Sequence, residues 1–299
     1  MRKRIPQHLE DIPKGYLSPA RKQGHVETFT YSTYEAFSYD TKTQPIQKQA
    51  LVYLPYGYDA SKPYNIFYLM HGGWGDERTY LGPDEPGTKS PFRSYGFKNI
   101  LDHAIQDGKI APLIVICPTY NNYSSEDSGD YQLAIRLTAL YPQELRNDLI
   151  PAVESHYSTY AADVTAEGLR ESRDHRGFGG FSMGSVTTWH VFNHCLDYFH
   201  YFLAMSGNCG DGRVQDAAVK RSGMGLQDFF LYTATGSEDF AHSAFYHQVM
   251  NLGERYTDSF RFSDTQAGGN LSYRELPGAE HDYKYANQYI YNGLQFFWS

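Results

Sequence analysis

Two segments near the start of the chain, 27–34 and 47–54, alternate between polar and apolar residues. A period of two puts successive side chains on opposite faces of a β-strand. A stretch typical of a turn follows the second segment at 55–58. We therefore expect two antiparallel strands that pair with each other.

Further along, short apolar runs alternate with segments that have helical spacing. The runs, which predict strands, are 64–70, 113–118, 199–206, 228–235 and 271–276. The segments with helical spacing are 97–105, 142–157, 241–256 and 283–297. Pro151 should kink or restart the second of these helices. Strands that are apolar throughout are typical of a sheet covered on both faces. The alternation predicts an α/β fold with a mostly parallel central sheet and helices on both faces.

The most informative motif is the G-x-S-x-G sequence at Gly180–Gly184, which has Ser182 at its centre. Apolar residues with helical spacing follow it at Val186, Trp189, Phe192 and Leu196. A tight strand-to-helix turn holds such a serine in a strained conformation, and the flanking positions need almost no side chain. The motif therefore predicts a nucleophile elbow. By itself the pattern is short, and a glycine-rich turn can contain a serine by chance.

Candidate partners of Ser182 follow two later strands. Catalytic groups of parallel sheets lie beyond the carboxyl ends of the strands. Asp239 comes just after the predicted strand at 228–235, and His281 just after the one at 271–276. The order serine, acid, histidine is the order of α/β-hydrolases. We predict that His281 is the general base and that Asp239 orients it.

Other carboxylates compete with Asp239 for this role. Glu238 precedes it directly, and Glu280 and Asp282 flank the histidine. Sequence neighbours rarely face one another's ring, so Glu280 and Asp282 are weaker candidates. Asp239 is the preferred acid.

The strand at 64–70 runs into His71-Gly-Gly-Trp74. This sequence resembles the oxyanion loop of esterases, where small residues let backbone N–H groups approach the substrate oxygen, and the alternative is a plain glycine turn between strand and helix. Gly73 is the first choice for one donor, and Trp74 is the alternative. Met183, the residue after the nucleophile, should supply the second N–H.

Composition narrows the range of partners. The net charge is −8 and the isoelectric point is about 5.8, which disfavours nucleic acid and anionic membranes. No run reaches the ~18 apolar residues of a membrane span, and the N-terminus lacks the apolar core of a signal peptide. Residues 1–24 are polar and contain three prolines, so we expect a surface arm ahead of one catalytic domain at 25–299.

Neither the cysteines nor the histidines have the spacing of a metal site. Cys117, Cys195 and Cys209 form no C-x-x-C pair, and no pair of the 12 histidines has an adjacent set of acidic or thiol ligands. We expect no metal and no other cofactor.

Taken together, several stretches resemble the feruloyl esterases of carbohydrate esterase family one that are appended to bacterial xylanases. The resemblance runs from about residue 50 to the C-terminus and rests on 51–58, 64–73, 175–184, 234–239 and 277–281. It implies Ser182 as nucleophile, Asp239 as acid and His281 as base. It further implies cofactor-free hydrolysis of ferulate or related hydroxycinnamate esters on arabinoxylan, with feruloylated xylan oligosaccharides as ligands and secretion to the cell exterior.

The sequence departs from this family around the acyl pocket. Where similar enzymes carry aromatic residues, this chain has Asn208, Cys209 and Gly210 after one strand, and Asp282 after the histidine. Trp74 or Tyr283 could supply an aromatic surface instead. Trp74, Cys209 and Tyr283 are accordingly the candidate substrate-binding residues.

Two alternatives stay open. An acetyl esterase acting on xylan, or another small-acyl esterase, needs no aromatic surface and is the main alternative. An inactive carbohydrate-binding protein of the same fold is disfavoured, because all three triad residues are present. The sequence leaves the oligomeric state open.

Overall fold

The computed structural model of the chain describes residues 3–83 and 90–298. The strands in this part are β1 (His25–Tyr34), β2 (Pro45–Leu54), β3 (Asn65–Met70), β4 (Leu113–Cys117), β5 (Arg176–Phe181), β6 (Tyr201–Met205), β7 (Phe230–Gly236) and β8 (Leu271–Leu276). The helices are α1 (Arg78–Leu81), α2 (Phe97–Gln106), α3 (Tyr131–Glu144), α4 (Ile150–His156), α5 (Ala166–Glu171), α6 (Met183–Cys195), α7 (Arg213–Ser222), α8 (His242–Arg255) and α9 (Tyr283–Leu294).

The described strands form one sheet in the order β1-β2-β4-β3-β5-β6-β7-β8. β1 pairs antiparallel with β2, and β2 pairs antiparallel with β4. From β4 to β8 every pairing is parallel. The predicted hairpin and the predicted mostly parallel sheet are both confirmed. The carboxyl ends of the parallel strands therefore share one edge, where a site can form.

Apolar layers cover both faces of the sheet. One layer includes Trp189 of α6 and Leu137 of α3, and the other includes Tyr289 of α9 and Ile100 of α2. Adjacent residues of one strand enter opposite layers, because side chains alternate along a strand. This double burial explains why the central strands are apolar throughout.

The helix predicted at 142–157 begins earlier in the structure than the sequence pattern indicates. The helix begins at Tyr131 rather than at residue 142, and the Asp130 side chain caps it by accepting from the N–H groups of the next turn. A π-helical turn at Leu145–Leu149 separates α3 from α4. Pro151 lies in the first turn of α4, directly after this π-helical turn. The backbone keeps right-handed helical angles at Leu149 and Ile150, so the helix bulges here and does not break and restart.

The N-terminal arm packs against helices and the sheet edge. The Ile5 N–H donates to the Asp264 carbonyl, and the Glu10 N–H donates to the Asn292 side chain of α9. The Tyr16 hydroxyl donates to Asp107, just after α2. Residues 3–24 therefore brace the fold on the side of α2 and α9.

Both ends of the described chain lie at the amino ends of the parallel strands. Lys3 and Trp298 line one groove together with Pro112, which directly precedes β4. The Trp298 indole N–H donates to the Asp174 carbonyl, two residues before β5. This edge of the sheet is opposite the one that carries the candidate catalytic residues. Among the described helices, none is both long and apolar enough to cross a membrane.

Candidate active site

Ser182 lies in the turn between β5 and α6 with a strained backbone. Its φ of 60° and ψ of −121° fall in a region that residues with a side chain rarely occupy. The strain is held in place because the Ser182 N–H donates to the Met205 carbonyl of β6, and its carbonyl accepts from Val186 in the first turn of α6. The hydroxyl consequently stands at the carboxyl edge of the sheet, as the G-x-S-x-G motif predicts.

The two glycines of the motif are required by close backbone contacts. A Cβ at Gly180 would lie 2.6 Å from the backbone of Gly184, and one at Gly184 would lie 2.3 Å from the Met70 carbonyl oxygen. Neither backbone can yield without moving a central strand. The sequence pattern thus reflects the tight packing of α6 against β5 and β3.

His281 and Asp239 form a close pair beyond β8 and β7. His281 Nδ1 lies 2.8 Å and 2.9 Å from the two carboxylate oxygens of Asp239. A carboxylate only accepts, so Nδ1 carries the proton and Nε2 is left as the acceptor. The Ala241 N–H donates to the same buried carboxylate and fixes its direction.

The competing carboxylates are engaged elsewhere or point to solvent. Asp282 caps α9 by accepting from the Lys284 N–H at 2.7 Å. Glu238 and Glu280 are exposed, and Asp239 is the carboxylate that contacts the imidazole. The arrangement supports Asp239 as the orienting acid.

The backbone of the loop after β3 leaves one amide available. The Gly72 N–H donates to the Tyr283 hydroxyl at 2.8 Å, and the Trp74 N–H donates to the Ser128 carbonyl at 3.1 Å. Between them, the Gly73 N–H has no protein acceptor among the described residues. The Met183 N–H, at the first position of α6, is also free of a protein acceptor there. Gly73 and Met183 are therefore the candidate oxyanion donors, and Trp74 is not.

His71 stabilises this loop through contacts of both ring nitrogens and of the ring face. Its Nδ1 lies 2.7 Å from the Gly72 carbonyl oxygen, its Nε2 lies 2.8 Å from the Thr119 hydroxyl, and its ring stacks on Tyr120. Since a carbonyl can only accept, Nδ1 donates and Nε2 accepts. Burial lowers the pKa of His71 to about 4, so the imidazole is neutral at physiological pH.

We expect the stability of the fold to decrease between pH 6.5 and pH 4 because of His71. The unfolded state binds a proton at a pKa of about 6.5, and the folded state binds it only near pH 4, so acid favours unfolding. At pH 5 the loss is about 2 kcal/mol of unfolding free energy. Urea denaturation measures the unfolding free energy at pH 7 and at pH 5. The decrease between these two pH values should be about 2 kcal/mol smaller in His71→Asn than in the wild type. An equal pH effect in both proteins would contradict the assignment.

A pocket of about 520 Å³ opens in front of Ser182. Its lining includes Gly72, Gly73, Trp74, Pro91, Phe92, Ser128, Gly129, Tyr131, Ala134, Phe181, Ser182, Met183, Val186, Ser206, Gly207, Asn208, Phe240, Ala241, His281 and Tyr283. The predicted nucleophile, base and oxyanion donors thus meet in one cavity. The loop that follows β4 contributes Ser128 and Gly129.

Trp74 presents its ring at the pocket rim. Its backbone has a left-handed φ of 62°, and its side chain is 58% exposed and stacks on Phe92. Gly129 lies flat against the indole, since a Cβ there would be 2.5 Å from the ring. A side chain at residue 129 would push the indole away, so glycine here keeps the aromatic surface in place.

The other two candidate substrate-binding residues have different positions. Tyr283 lines the pocket but is buried, and its hydroxyl supports the oxyanion loop through Gly72. Cys209 does not line the pocket, and its assignment to substrate binding is corrected. Its N–H donates to the Gln248 side chain, and its sulfur lies 3.7 Å from His190 Nε2. Asn208, one residue earlier, lines the pocket instead.

Several pocket residues were not predicted from the sequence, among them the aromatic residues Phe92, Tyr131 and Phe240. Phe92 and Tyr131 lie in or next to loops, where no periodic pattern identifies them. Phe240 directly follows the predicted acid Asp239, and this adjacency in the sequence could have identified it as a pocket residue. Within residues 3–83 and 90–298, no cluster of three or more His, Cys, Asp or Glu residues could hold a metal.

A serine on a strained strand-to-helix turn, an imidazole held by a buried carboxylate and two free amides define a serine hydrolase with the α/β-hydrolase fold.

Comparison with known proteins identifies the family to which the chain belongs. The model of a family described as "putative esterase" matches residues 46–248. Endo-1,4-beta-xylanase Y of Acetivibrio thermocellus is 38% identical over 95% of this chain, which corresponds to 24% of that protein. An endo-1,4-beta-xylanase/feruloyl esterase of Xylanibacter ruminicola is 28% identical over 53% of this chain and 19% of that protein. The chain thus spans at most about a quarter of the length of these curated relatives.

Solved structures agree with this placement. A serine-to-alanine variant of the feruloyl esterase module from Clostridium thermocellum, complexed with sinapinate, matches with a TM-score of 0.84 and 36% identity, covering 99% of this chain and 95% of that one. A ferulic acid esterase of Anaeromyces mucronatus, in complex with ferulic acid, shares the fold at a TM-score of 0.66 and 18% identity, covering 95% and 94% of the two chains. The chain therefore belongs to the esterase family, and within it the chain is related to the feruloyl esterase module of Clostridium thermocellum.

Proposed function

We propose that the protein hydrolyses hydroxycinnamate esters, such as those of ferulate, on arabinoxylan-type plant cell-wall polysaccharide. The observation that carries the proposal is the position of Ser182 and the His281–Asp239 pair in an aromatic pocket of about 520 Å³. The two curated relatives are named as an endo-1,4-beta-xylanase and an endo-1,4-beta-xylanase/feruloyl esterase, and a solved structure of similar fold is a feruloyl esterase module complexed with sinapinate.

The geometry supports a two-step reaction through an acyl-enzyme. The Ser182 oxygen forms a bond to the ester carbonyl carbon while its proton passes to His281 Nε2. The negative oxygen of the tetrahedral intermediate accepts hydrogen bonds from the Gly73 and Met183 N–H groups. When the intermediate collapses, the carbon–oxygen bond to the sugar breaks and His281 returns the proton to the leaving oxygen.

Water then completes the cycle. His281 takes a proton from a water molecule, whose oxygen bonds to the acyl carbon, and the same oxyanion donors hold the second intermediate. Breakdown returns the proton to the Ser182 oxygen and releases the hydroxycinnamate. Throughout, the Asp239 carboxylate stabilises the positively charged imidazole.

Pocket size and lining favour a hydroxycinnamoyl group over acetyl. Cavities that bind drug-sized ligands are typically 300–1,000 Å³ and largely apolar, with a few polar groups. An acetyl group would leave most of this pocket empty. Although Asn208 and Asp282 replace aromatic residues of similar enzymes, the stacked Trp74 and Phe92 rings provide a flat apolar surface in the same cavity.

The test is a comparison of kcat/KM on methyl ferulate and on an acetylated xylo-oligosaccharide, with Ser182→Ala as the blank. The proposal expects ferulate release to dominate by at least about tenfold, because only the larger acyl group can bury its surface in the pocket. Dominant acetate release would replace the hydroxycinnamate assignment by the acetyl alternative while leaving the esterase intact. Turnover no greater than the blank on both substrates would favour an inactive binding protein.

The proposed substrate also determines where the enzyme works. Feruloylated xylan is a wall polymer outside the cell, so the proposal includes an extracellular location and feruloylated xylan oligosaccharides as ligands. The xylanase names of the relatives support the same setting.

A further inference from the structure

The imidazole of His281 lies between two phenyl rings. The Phe181 ring centre is 4.4 Å from the imidazole centre at an interplanar angle of 31°, and the Phe240 centre is 4.1 Å away at 38°. Phe181 is a buried residue of β5 and packs in the core below. Phe240 has no such role, because its side chain is 81% exposed.

The exposure of Phe240 is unusual for its position. The 81% value is the largest among the large hydrophobic side chains of the described chain. Single exposed apolar residues are common on protein surfaces and need no explanation by themselves. Phe240, however, lines the catalytic pocket, and one face of its ring covers the catalytic imidazole while the other remains open to solvent.

The chemistry of the triad determines which half of the substrate lies near Phe240. His281 must return its proton to the alcohol oxygen, so this oxygen lies beside His281 in the productive complex. The carbonyl oxygen lies at the Gly73 and Met183 amides.

Strand order separates these two directions. The loop carrying Gly73 follows β3, on one side of the nucleophile strand β5. Phe240 and His281 follow β7 and β8, on the other side of β5. The alcohol half therefore leaves the serine toward Phe240.

We propose that Phe240 is a binding platform for the sugar ring of the leaving alcohol, a pentose in the substrate class proposed above, on which this inference rests. The phenyl ring offers a flat apolar face to the C–H groups of the sugar, and it carries no hydrogen-bonding atom that would select a hydroxyl pattern. Stacking on Phe240 holds the leaving oxygen within reach of His281. Phe240 is thus a specificity-determining residue for the alcohol half of the ester.

The experiment compares two esters of the same acid. Methyl ferulate has no sugar, whereas a feruloylated arabinoxylo-oligosaccharide has the full alcohol half. Phe240→Ala should lower kcat/KM on the oligosaccharide about five- to tenfold more than on methyl ferulate, as expected for an aromatic contact. Phe240→Tyr keeps the ring and should retain the wild-type ratio of the two values.

Two outcomes would overturn the inference. An equal loss on both esters would mean that Phe240 acts only by holding His281, and an unchanged ratio without loss would mean that the sugar does not contact it. Because Phe240 is exposed, the substitution should not change the stability of the fold, and thermal melting checks this directly.

A second measurement separates this inference from the proposed acyl specificity. Unesterified arabinoxylo-oligosaccharide should inhibit hydrolysis of p-nitrophenyl acetate competitively, and Phe240→Ala should raise its inhibition constant about five- to tenfold. Failure to hydrolyse methyl ferulate would overturn the hydroxycinnamate assignment, while an inhibition constant unchanged by the substitution would overturn the platform.

Discussion

Replacing Ser182 by alanine should lower kcat for ester hydrolysis by at least about 10⁴-fold, because it removes the hydroxyl that we propose forms the acyl-enzyme. The change removes one oxygen and keeps a Cβ, so the strained backbone of the elbow is retained. Its N–H and carbonyl hydrogen bonds to Met205 and Val186 do not involve the hydroxyl. The variant should therefore fold normally and still bind ester.

The matched control is Ser185→Ala, one turn further along α6. The Ser185 hydroxyl is buried and donates to the Gly207 carbonyl, which also accepts from Trp189. Its loss should cost about 1 kcal/mol of stability and leave turnover within a few-fold of wild type. Steady-state hydrolysis of methyl ferulate measures both variants. More than about 1% residual activity in Ser182→Ala would argue against Ser182 as the nucleophile.

Replacing Asp239 by asparagine should lower kcat by about 10⁴-fold, with little change in the fold. The carboxylate accepts from His281 Nδ1 with both oxygens, whereas an amide that presents its NH₂ group favours the opposite tautomer. In that tautomer Nε2 carries the proton and cannot accept one from Ser182. The positively charged imidazole would also lose its stabilising partner.

Glu238→Gln provides the control for this change, because it removes one negative charge from the adjacent, exposed position. Its activity should stay within a few-fold of wild type, since exposed charges interact weakly. Measuring kcat of both variants from pH 5 to pH 8 shows whether the difference between them holds over the whole pH range. A large loss in Glu238→Gln and a small one in Asp239→Asn would exchange the two assignments.

The sequence was most informative where short-range geometry determines the chain. Gly180 and Gly184 identify the elbow because backbone contacts at both positions exclude any side chain. The positions of Asp239 and His281 could be predicted because parallel strands bring their carboxyl ends together. Uniformly apolar strands likewise indicated a sheet covered by helices on both faces.

Other features depend on contacts that a linear pattern does not contain. The start of α3 is set by the Asp130 cap rather than by an apolar repeat, and α7 (Arg213–Ser222) is mostly polar, so neither gave a clear helical signal. The direction of Cys209 depends on Gln248, and the aromatic rim depends on loops that meet only in the folded chain. Likewise, Gly73 rather than Trp74 is the candidate oxyanion donor because the Trp74 N–H donates to the Ser128 carbonyl, a contact made only in the folded chain.

The placement of both chain ends along the edge opposite the pocket has a practical meaning for tethering. Lys3 and Trp298 share a groove at the amino ends of the strands, so a polypeptide or a solid support joined at either terminus would sit behind the catalytic face. The mouth of the pocket would then point away from the attachment. Immobilisation through either end should therefore preserve access to a polymeric substrate, whereas attachment through side chains of the pocket rim would block it.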